Sequence, residues 1–255
     1  MPIRILTWNV ALLPKRINPF HNPKEASPYI CDLIGRINPD IIGLQEAFSF
    51  DSRRIIEGWL KRKKYEVLLP NEDNNAYMSR NGLILATKLG IKGAREMDFA
   101  NNISYGFSIK NGIMSFKTAK NLWIHNTHIQ SDALFGKATE YNENTRTARQ
   151  LQYHEAKNYL TEEFSFDEGN HIFLGDFNED YYDCHLNGLT KVLGLHHNNR
   201  KVITSPYDNT QKDYIFLNNR LKWDACNCDF TPITSSISDH YPLILDIYPK
   251  LNVQL

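Results

Sequence analysis

Short apolar runs of strand length, each meeting an acid, an amide or an imidazole, recur along this chain and restrict its fold more than any other property. Ile172-Phe173-Leu174 runs into Gly175-Asp176-Phe177-Asn178, and Ser238-Asp239-His240 runs into Tyr241-Pro242-Leu243-Ile244-Leu245. Ile3 to Val10 alternates apolar and polar residues before an apolar finish, as a strand entering a core does. Asp40 to Glu46 carries Ile41-Ile42-Gly43-Leu44 and delivers Gln45 and Glu46 at its tip. The same pattern predicts strands at Tyr65 to Leu69, Asn81 to Thr87, Gly112 to Lys117, Leu122 to Ile129, His171 to Asp176, Tyr214 to Leu217, Trp223 to Phe230 and Pro242 to Tyr248.

Helical signals lie between these runs. Ser27 as N-cap and Pro28 at the first helical position open a helix that Asn38-Pro39 ends. A second follows Asp51, with Ile55, Ile56, Trp59 and Leu60 at helical spacing. The longest is expected over Thr139 to Phe164, with Ala148, Leu151, Ala156, Tyr159 and Leu160 as its inner stripe. The stretch after Asp176, rich in Asn, Tyr and His, reads as irregular. Strands dominate and helices do not strictly alternate with them. That points to packed mixed sheets covered by helices, not to a doubly wound parallel sheet. With 255 residues the chain can bury one sizeable core, so one domain over residues 1–255 is expected.

Composition narrows the function classes. The 29 basic and 29 acidic side chains cancel, which weakens the reading as a dedicated nucleic-acid binder, because such proteins carry a basic excess. The basic run Lys61-Arg62-Lys63-Lys64, beside Arg53 and Arg54, reads as a solvated helix end. Cys226-Asn227-Cys228 has too short a spacing for a zinc pair, and Cys31 and Cys184 have no sulfur neighbour in sequence. No run approaches the length of a membrane span. The first residues enter a strand without a signal-peptide pattern, so a cytoplasmic protein, or one exported by a route without such a signal, is expected.

The chemistry lies in the polar residues at strand ends: Asn9, Glu46, His128, Asp176, Asn178, Asp213, Asp239 and His240. Each alone has an ordinary structural explanation, a turn Asn, a solvated Glu or a core His. Together they supply oxygen ligands for a hard divalent cation, Mg²⁺ or Mn²⁺ before zinc, with imidazoles beside them. That combination suits metal-assisted attack on a phosphoryl group.

In order, Thr7-Trp8-Asn9, Leu44-Gln45-Glu46, Thr127-His128, Gly175-Asp176-Phe177-Asn178, Asp213-Tyr214-Ile215-Phe216 and Ser238-Asp239-His240 resemble the endonuclease/exonuclease/phosphatase superfamily from Ile3 to Asp246. The resemblance implies an α/β (α+β) four-layer sandwich of the DNase I-like kind, two mixed β-sheets flanked by helices, with a metal site at one edge. It implies Glu46 as principal metal ligand with Asn9 beside it, and Asp239 near a second metal position. Asp176 and Asn178 would orient the attacking water and a phosphate oxygen. His240 would act as general base or transition-state stabiliser, oriented by Asp213, and His128 would donate to the scissile phosphate. Asp176 and His240 both stand as the group that deprotonates water. Mg²⁺ is the implied cofactor, with Mn²⁺ able to substitute.

Within the superfamily the chain resembles the neutral sphingomyelinases. Lys110-Asn111-Gly112 and Thr127-His128-Ile129-Gln130-Ser131 are similar to a Lys-Gly strand followed by Thr-His-x-Gln/His-Ala, although Asn111 interrupts the first pair and Ser131 replaces the alanine. Arg146 and Gln150, four apart on the long helix, match a pair that recurs in that branch, and Asn81 to Thr87 is similar to its Ser-Gly-Leu strand. Thr210-Gln211-Lys212-Asp213 stands where inositol-polyphosphate 5-phosphatases carry Trp-Cys-Asp-Arg. The Tyr-centred loop of apurinic endonucleases is also missing. The resemblance therefore implies a phosphodiesterase that cuts a phospholipid headgroup at a membrane surface, with a metal-dependent nuclease as the alternative enzyme and a non-catalytic binding module as the alternative class. Phe99, Tyr105, Tyr181 and Tyr182 are the candidates for touching a bilayer, against a plain role in packing.

Overall fold

Residues 2–15, 22–71, 78–103, 109–131, 143–164, 169–180, 184–196, 202–207, 209–218, 223–230 and 237–249 are described in the computed structural model. The elements are, in chain order, β1 (Ile3–Asn9), α1 (Pro23–Ile37), β2 (Ile41–Gln45), α2 (Phe50–Arg62), β3 (Glu66–Leu68), β4 (Ile84–Thr87), β5 (Ile91–Asp98), β6 (Gly112–Thr118), β7 (Leu122–His128), α3 (Glu143–Phe164), β8 (Asn170–Asp176), α4 (Cys184–Val192), β9 (Leu195–His196), β10 (Asp213–Asn218), β11 (Trp223–Phe230) and β12 (Leu243–Pro249).

Among the described residues the strands form two six-stranded sheets, in the orders β11-β12-β1-β2-β4-β3 and β5-β6-β7-β8-β10-β9. Each sheet has one parallel pair near its middle, β1 with β2 and β7 with β8. The remaining pairings are antiparallel. Three apolar cores stack through the molecule. Ile3, Ile5, Met114, Phe116, Ile172 and Leu174 belong to the one between the sheets. Leu6, Trp8, Ile30, Ile34 and Ile56 join the first sheet to α1 and α2. Phe173, Phe177, Tyr214, Phe216, Leu160 and Leu189 join the second sheet to α3 and α4. Both faces of each sheet are thus covered, which explains why the central strands read as nearly continuous apolar runs. The expected two mixed sheets flanked by helices are what the chain builds.

Side-chain alternation along a strand decides which core each residue enters. On β1, Ile3 and Ile5 face the other sheet whereas Leu6 and Trp8 face the helices. On β8, Ile172 and Leu174 face the other sheet and Phe173 the helices. On β7 and β10, Leu122, Ile124, Ile215 and Leu217 face inward. Carried to the strand ends, the same two-residue period sends Asn9, His128, Asp176 and Asp213 toward the gap between the sheets.

The structure corrects several sequence expectations. Helix α1 begins at Pro23, with Asn22 as N-cap, so Ser27 and Pro28 lie inside it. Pro23 at the first position serves a helix start as well as Pro28 would, and the Ser27 hydroxyl bonds back to the Pro23 carbonyl at 2.7 Å. On α3 the expected stripe fails at Leu151, which is 41% exposed, while Thr145, Arg149 and Gln152 are buried. This helix buries polar groups that hold loops, so apolar spacing alone misjudges its inner face. Strand β5 was not predicted: its Lys92, Arg95 and Glu96 belong to an edge position, where one side stays open. Helix α4 stands where the sequence suggests an irregular stretch, and its Leu186 and Leu189, with Leu193 beyond its end, have helical spacing and are buried. The residues expected to begin the long helix, from Thr139 to Asn142, lie outside the described residues.

One buried pair makes the fold sensitive to acid. His125 on β7 and His171 on β8 stack with ring centroids 5.3 Å apart, and His125 Nε2 meets His171 Nδ1 at 3.0 Å. Ser115 Oγ sits 2.8 Å from the other nitrogen of His125. Burial pushes both imidazoles down, His171 to about 4, with Lys117 adding to the shift there and His171 adding to it at His125. The fold therefore binds fewer protons here than the unfolded chain. Stability is full above the unfolded value near 6.5 and falls as the pH drops toward 4. His171 alone should account for about 3 kcal/mol of that loss. Urea titrations of the wild type and His171→Gln from pH 7 to 4.5 should show a shallower pH slope in the variant; equal slopes would remove the pair as the cause.

Candidate active site

The strand ends converge where the two parallel pairs stop. Asn9 ends β1, Gln45 ends β2, His128 ends β7 and Asp176 ends β8. Asp213 opens β10, which runs antiparallel to β8, so it pairs directly with Asp176. His240 comes from the turn before β12, the partner of β1.

Glu46 is the exception to the two-residue period. Leu44 faces the helices, and regular alternation would send Glu46 the same way. Its backbone instead adopts φ +56°, a conformation that a non-glycine residue takes only when its surroundings over-determine it. The turn brings the carboxylate back to the gap, where Glu46 Oε1 accepts from Asn9 Nδ2 at 2.9 Å. Asn178 is also at positive φ, 50°. Its backbone N–H donates to Asp176 Oδ1 at 2.9 Å and its side-chain amide to the Ile129 carbonyl at 2.9 Å. Between these residues, Gly175 holds φ +143°, and a β-carbon there would collide with the Thr127 carbonyl on β7. A side chain at 175 would push β8 from β7 directly beneath Asp176.

The groups in the crevice lie close together. Glu46, His128 and Asp176 each offer a ligand atom, with those atoms within 4.8 Å of one another, and Asp176, Asp213 and His240 do the same. His128 Nε2 stands 3.7 Å from Glu46 Oε1 and 3.8 Å from Asp176 Oδ2. Both ring nitrogens of His128 are buried without a hydrogen-bond partner among the described residues, as is Asp213 Oδ1. Asn9 donates to both carboxylates, reaching Asp176 Oδ2 at 2.8 Å, while its own oxygen accepts from Ala11 N at 3.0 Å. Asn9 thus bridges Glu46 and Asp176 through its side-chain nitrogen, with its oxygen on Ala11. Asp239 stays exposed at the rim, outside both clusters, although its charge reaches Glu46 and His240.

His240 is held from two sides. Its ring Nδ1 lies 2.7 Å from Asp213 Oδ2, which fixes the tautomer and leaves Nε2 toward Asp176, at 3.8 Å. Its backbone is tied to the first sheet: Trp8 Nε1 donates to the His240 carbonyl at 2.9 Å, and Ser238 Oγ donates to Asn9 O at 2.7 Å while accepting from His240 N at 3.1 Å. Burial opposes a charge on this imidazole. The carboxylates of Asp213, Asp176 and Asp239 outweigh that and push its pKa up to about 10. Glu46 also holds its proton more tightly than usual, first through desolvation and then through Asp239, against the pull of His128 and Asn9. Such crowding of carboxylates in a poorly solvated crevice is relieved by a bound cation.

Sequence reasoning missed the supports. Trp8 looks like an ordinary core residue, yet its indole N–H anchors His240. Thr204 Oγ1 accepts from Lys212 N and Asp213 N, at 3.0 and 3.1 Å, fixing the start of β10; nothing local in the sequence announces it. Gln150 bonds His185 on α4 at 2.8 Å, so this half of the Arg146–Gln150 pair joins two helices. Phe99 is buried in the core under α3 and is not available to a bilayer. Tyr105, Tyr181 and Tyr182 lie outside the described residues. No helix among the described residues is long and apolar enough to cross a membrane.

Comparison with known proteins follows the same lines. The profile of the Endonuclease/Exonuclease/phosphatase family matches residues 6–240. No curated protein sequence matches. Among solved structures, sphingomyelinase C from Streptomyces griseocarneus is similar at a TM-score of 0.74 and 14% identity, over 96% of this chain and 99% of that one. Beta toxin from Staphylococcus aureus, in a variant with bound magnesium ions, gives 0.72 and 17%, over 98% and 100%. The human Nocturnin catalytic domain with bound sulfate gives 0.73 and 17%, over 97% and 93%. At such identities the likeness is one of fold.

Proposed function

Because the chain belongs to the endonuclease/exonuclease/phosphatase family, we propose that it is a divalent-metal-dependent phosphodiesterase that cuts a phospholipid headgroup, releasing ceramide and phosphocholine from sphingomyelin. The observation that carries the chemistry is the meeting of Glu46, His128 and Asp176 with the His240–Asp213 pair in one crevice. Carboxylate oxygens dominate the donor set, which suits Mg²⁺ or Mn²⁺. The nitrogens of buried His128, which make no hydrogen bond among the described residues, fit a site that is completed by bound groups.

Glu46 and Asp176 would hold the cation, with His128 next to them, and Asp239 at the rim would add negative charge. When bound there, the cation offsets the charge that develops on phosphate oxygens. Asn9 keeps the two carboxylates at a fixed separation. Asp176 and Asn178 orient the attacking water and a phosphate oxygen. His240, carrying a proton and aimed by Asp213, donates to the phosphate as the bond to the lipid alcohol breaks, and His128 makes a second contact to it. Water attacks phosphorus in line with the leaving oxygen: the new P–O bond forms as the proton of water passes to Asp176, and the bond to the lipid oxygen breaks as that oxygen takes a proton from solvent.

The lipid substrate rests on Lys110, Gly112, Thr127, His128 and Gln130, which resemble the sphingomyelinase pattern, with support from the similar sphingomyelinase C structure. A shared fold does not by itself select the substrate. Sphingomyelin vesicles, phosphatidylcholine vesicles, plasmid DNA and a soluble inositol phosphate, assayed in parallel with Mg²⁺, should show phosphocholine release from sphingomyelin and intact plasmid. Nicked plasmid with untouched lipid would replace this reading by that of a nuclease.

A further inference from the structure

A buried polar pair crosses the gap between the sheets one layer beneath the crevice. Gln45 Nε2 on β2 reaches Asn126 Oδ1 on β7 at 2.7 Å, Thr7 Oγ1 on β1 at 3.0 Å and the Gly43 carbonyl at 3.2 Å. Asn126 Nδ2 donates to the carbonyls of Leu44 on β2 and Ile84 on β4, at 3.0 and 3.2 Å. Gln45, Asn126 and Thr7 are all fully buried. Gly43 makes the approach feasible, because a β-carbon there would collide with Leu174 and press on the Asn126 amide.

The surroundings of this pair are the apolar core between the sheets. Apolar contact is not directional, so it resists separation of two sheets better than it resists sliding. Hydrogen bonds are directional and fail within a few tenths of an ångström and a few tens of degrees. The crevice is divided between the sheets: Asn9, Glu46 and the backbone of His240 belong to the first, whereas His128, Asp176 and Asp213 belong to the second. Glu46 is the next residue after Gln45, and His128 lies two after Asn126 on the same face of β7. A slip at the pair therefore transfers directly to the 3.7 Å spacing of His128 and Glu46.

We propose that Gln45 and Asn126 form a cross-sheet latch, two positioning residues that set the distance between the halves of the site. The inference rests on the metal-dependent reading above for its consequence, but the latch itself has a signature that needs no metal. His240 spans the gap, with its backbone on Trp8 and Ser238 and its ring on Asp213, so its Nδ1–H resonance reports the registry of the two sheets.

The test compares Gln45→Met, Asn126→Leu and Leu122→Ala with the wild type. Leu122 sits in the same apolar core at the opposite end of β7, so its truncation lowers stability without touching the latch. In both latch variants the His240 Nδ1–H signal should broaden or shift, and Mn²⁺ affinity read by electron paramagnetic resonance without substrate should fall by about tenfold or more. In Leu122→Ala both should match the wild type. Should Asn126→Leu fail to fold, Gln45→Met carries the test, since it leaves both carbonyl bonds of Asn126 in place. An unchanged His240 signal and Mn²⁺ affinity in the latch variants, or an equal loss in Leu122→Ala, would overturn the latch. A wild type that binds no Mn²⁺ while the His240 contrast persists would sink the metal reading and leave the latch supported.

Discussion

Replacing His240 with alanine is expected to lower kcat on the order of 10³-fold, with KM changed far less. The imidazole is the group that Asp213 aims into the crevice, and its contribution grows as charge develops on the phosphate, so its loss falls on the transition state. The fold should survive. The bonds of Trp8 Nε1 and Ser238 Oγ to the His240 backbone, and of Tyr241 N to the Thr204 carbonyl, do not involve the ring. The lost partner leaves the buried Asp213 carboxylate uncompensated, at a cost of about 1–3 kcal/mol, which protonation of Asp213 would relieve. Asp213→Asn separates the two effects: it keeps the ring but removes its anchor, and should give an intermediate loss of kcat. Steady-state kinetics on the folded variants check both, and a near-normal kcat in His240→Ala would remove this residue from the mechanism.

Chelation is expected to have the second large effect. EDTA should reduce hydrolysis of every substrate to background, and Mg²⁺ or Mn²⁺ should restore it. The physical reason is the crowding at Glu46, Asp176 and Asp239, where carboxylates share a poorly solvated crevice and Glu46 already holds its proton more tightly than usual. A cation that binds the folded chain and not the unfolded one also stabilises it, by about 2.7 kcal/mol at a hundredfold excess over Kd. Thermal melts with and without Mg²⁺ should therefore shift upward with the metal, and the shift should vanish in Glu46→Gln. Turnover that persists in EDTA would defeat the mechanism outright, and a Mg²⁺ shift that persists in Glu46→Gln would place the cation elsewhere.

Much of the architecture was legible because the strands are buried on both faces. Ile41-Ile42-Gly43-Leu44 and Ile172-Phe173-Leu174 are apolar on both sides, which demands a layer above and a layer below. The elements that escaped notice were those under weaker constraint. Strand β5 lies at an edge and is partly solvated, so its sequence carries no clean alternation. Helix α3 buries Gln152 and ties down a loop through half-buried Glu155 in place of a continuous apolar stripe: Gln152 Oε1 accepts from Gln130 N at 2.8 Å, and Glu155 accepts from Ala100 N and Asn101 N. Such contacts couple residues far apart in sequence and leave no periodic trace.

The candidate site divides in the same way. The short motifs at Asn9, Glu46, His128, Asp176, Asp213 and His240 were readable because each combines a chemically capable side chain with the end of an apolar run. For Asn9, His128, Asp176 and Asp213 even the direction of the side chain follows from strand period alone. Glu46 breaks that period, and its positive φ, set by the packing around it, is what returns the carboxylate to the crevice. Nor could the sequence show that Asn9 turns its nitrogen toward two carboxylates, that Trp8 and Ser238 moor His240, or that Gln45 meets Asn126 across the gap. Which residues stand at the strand ends, and which face most of them take, can be read from the chain alone, because alternation is a local property of a strand. Which ends meet, and at what distance, emerges only on folding, because the site is assembled from two sheets that touch through contacts such as Asn9 to Asp176, 167 positions apart.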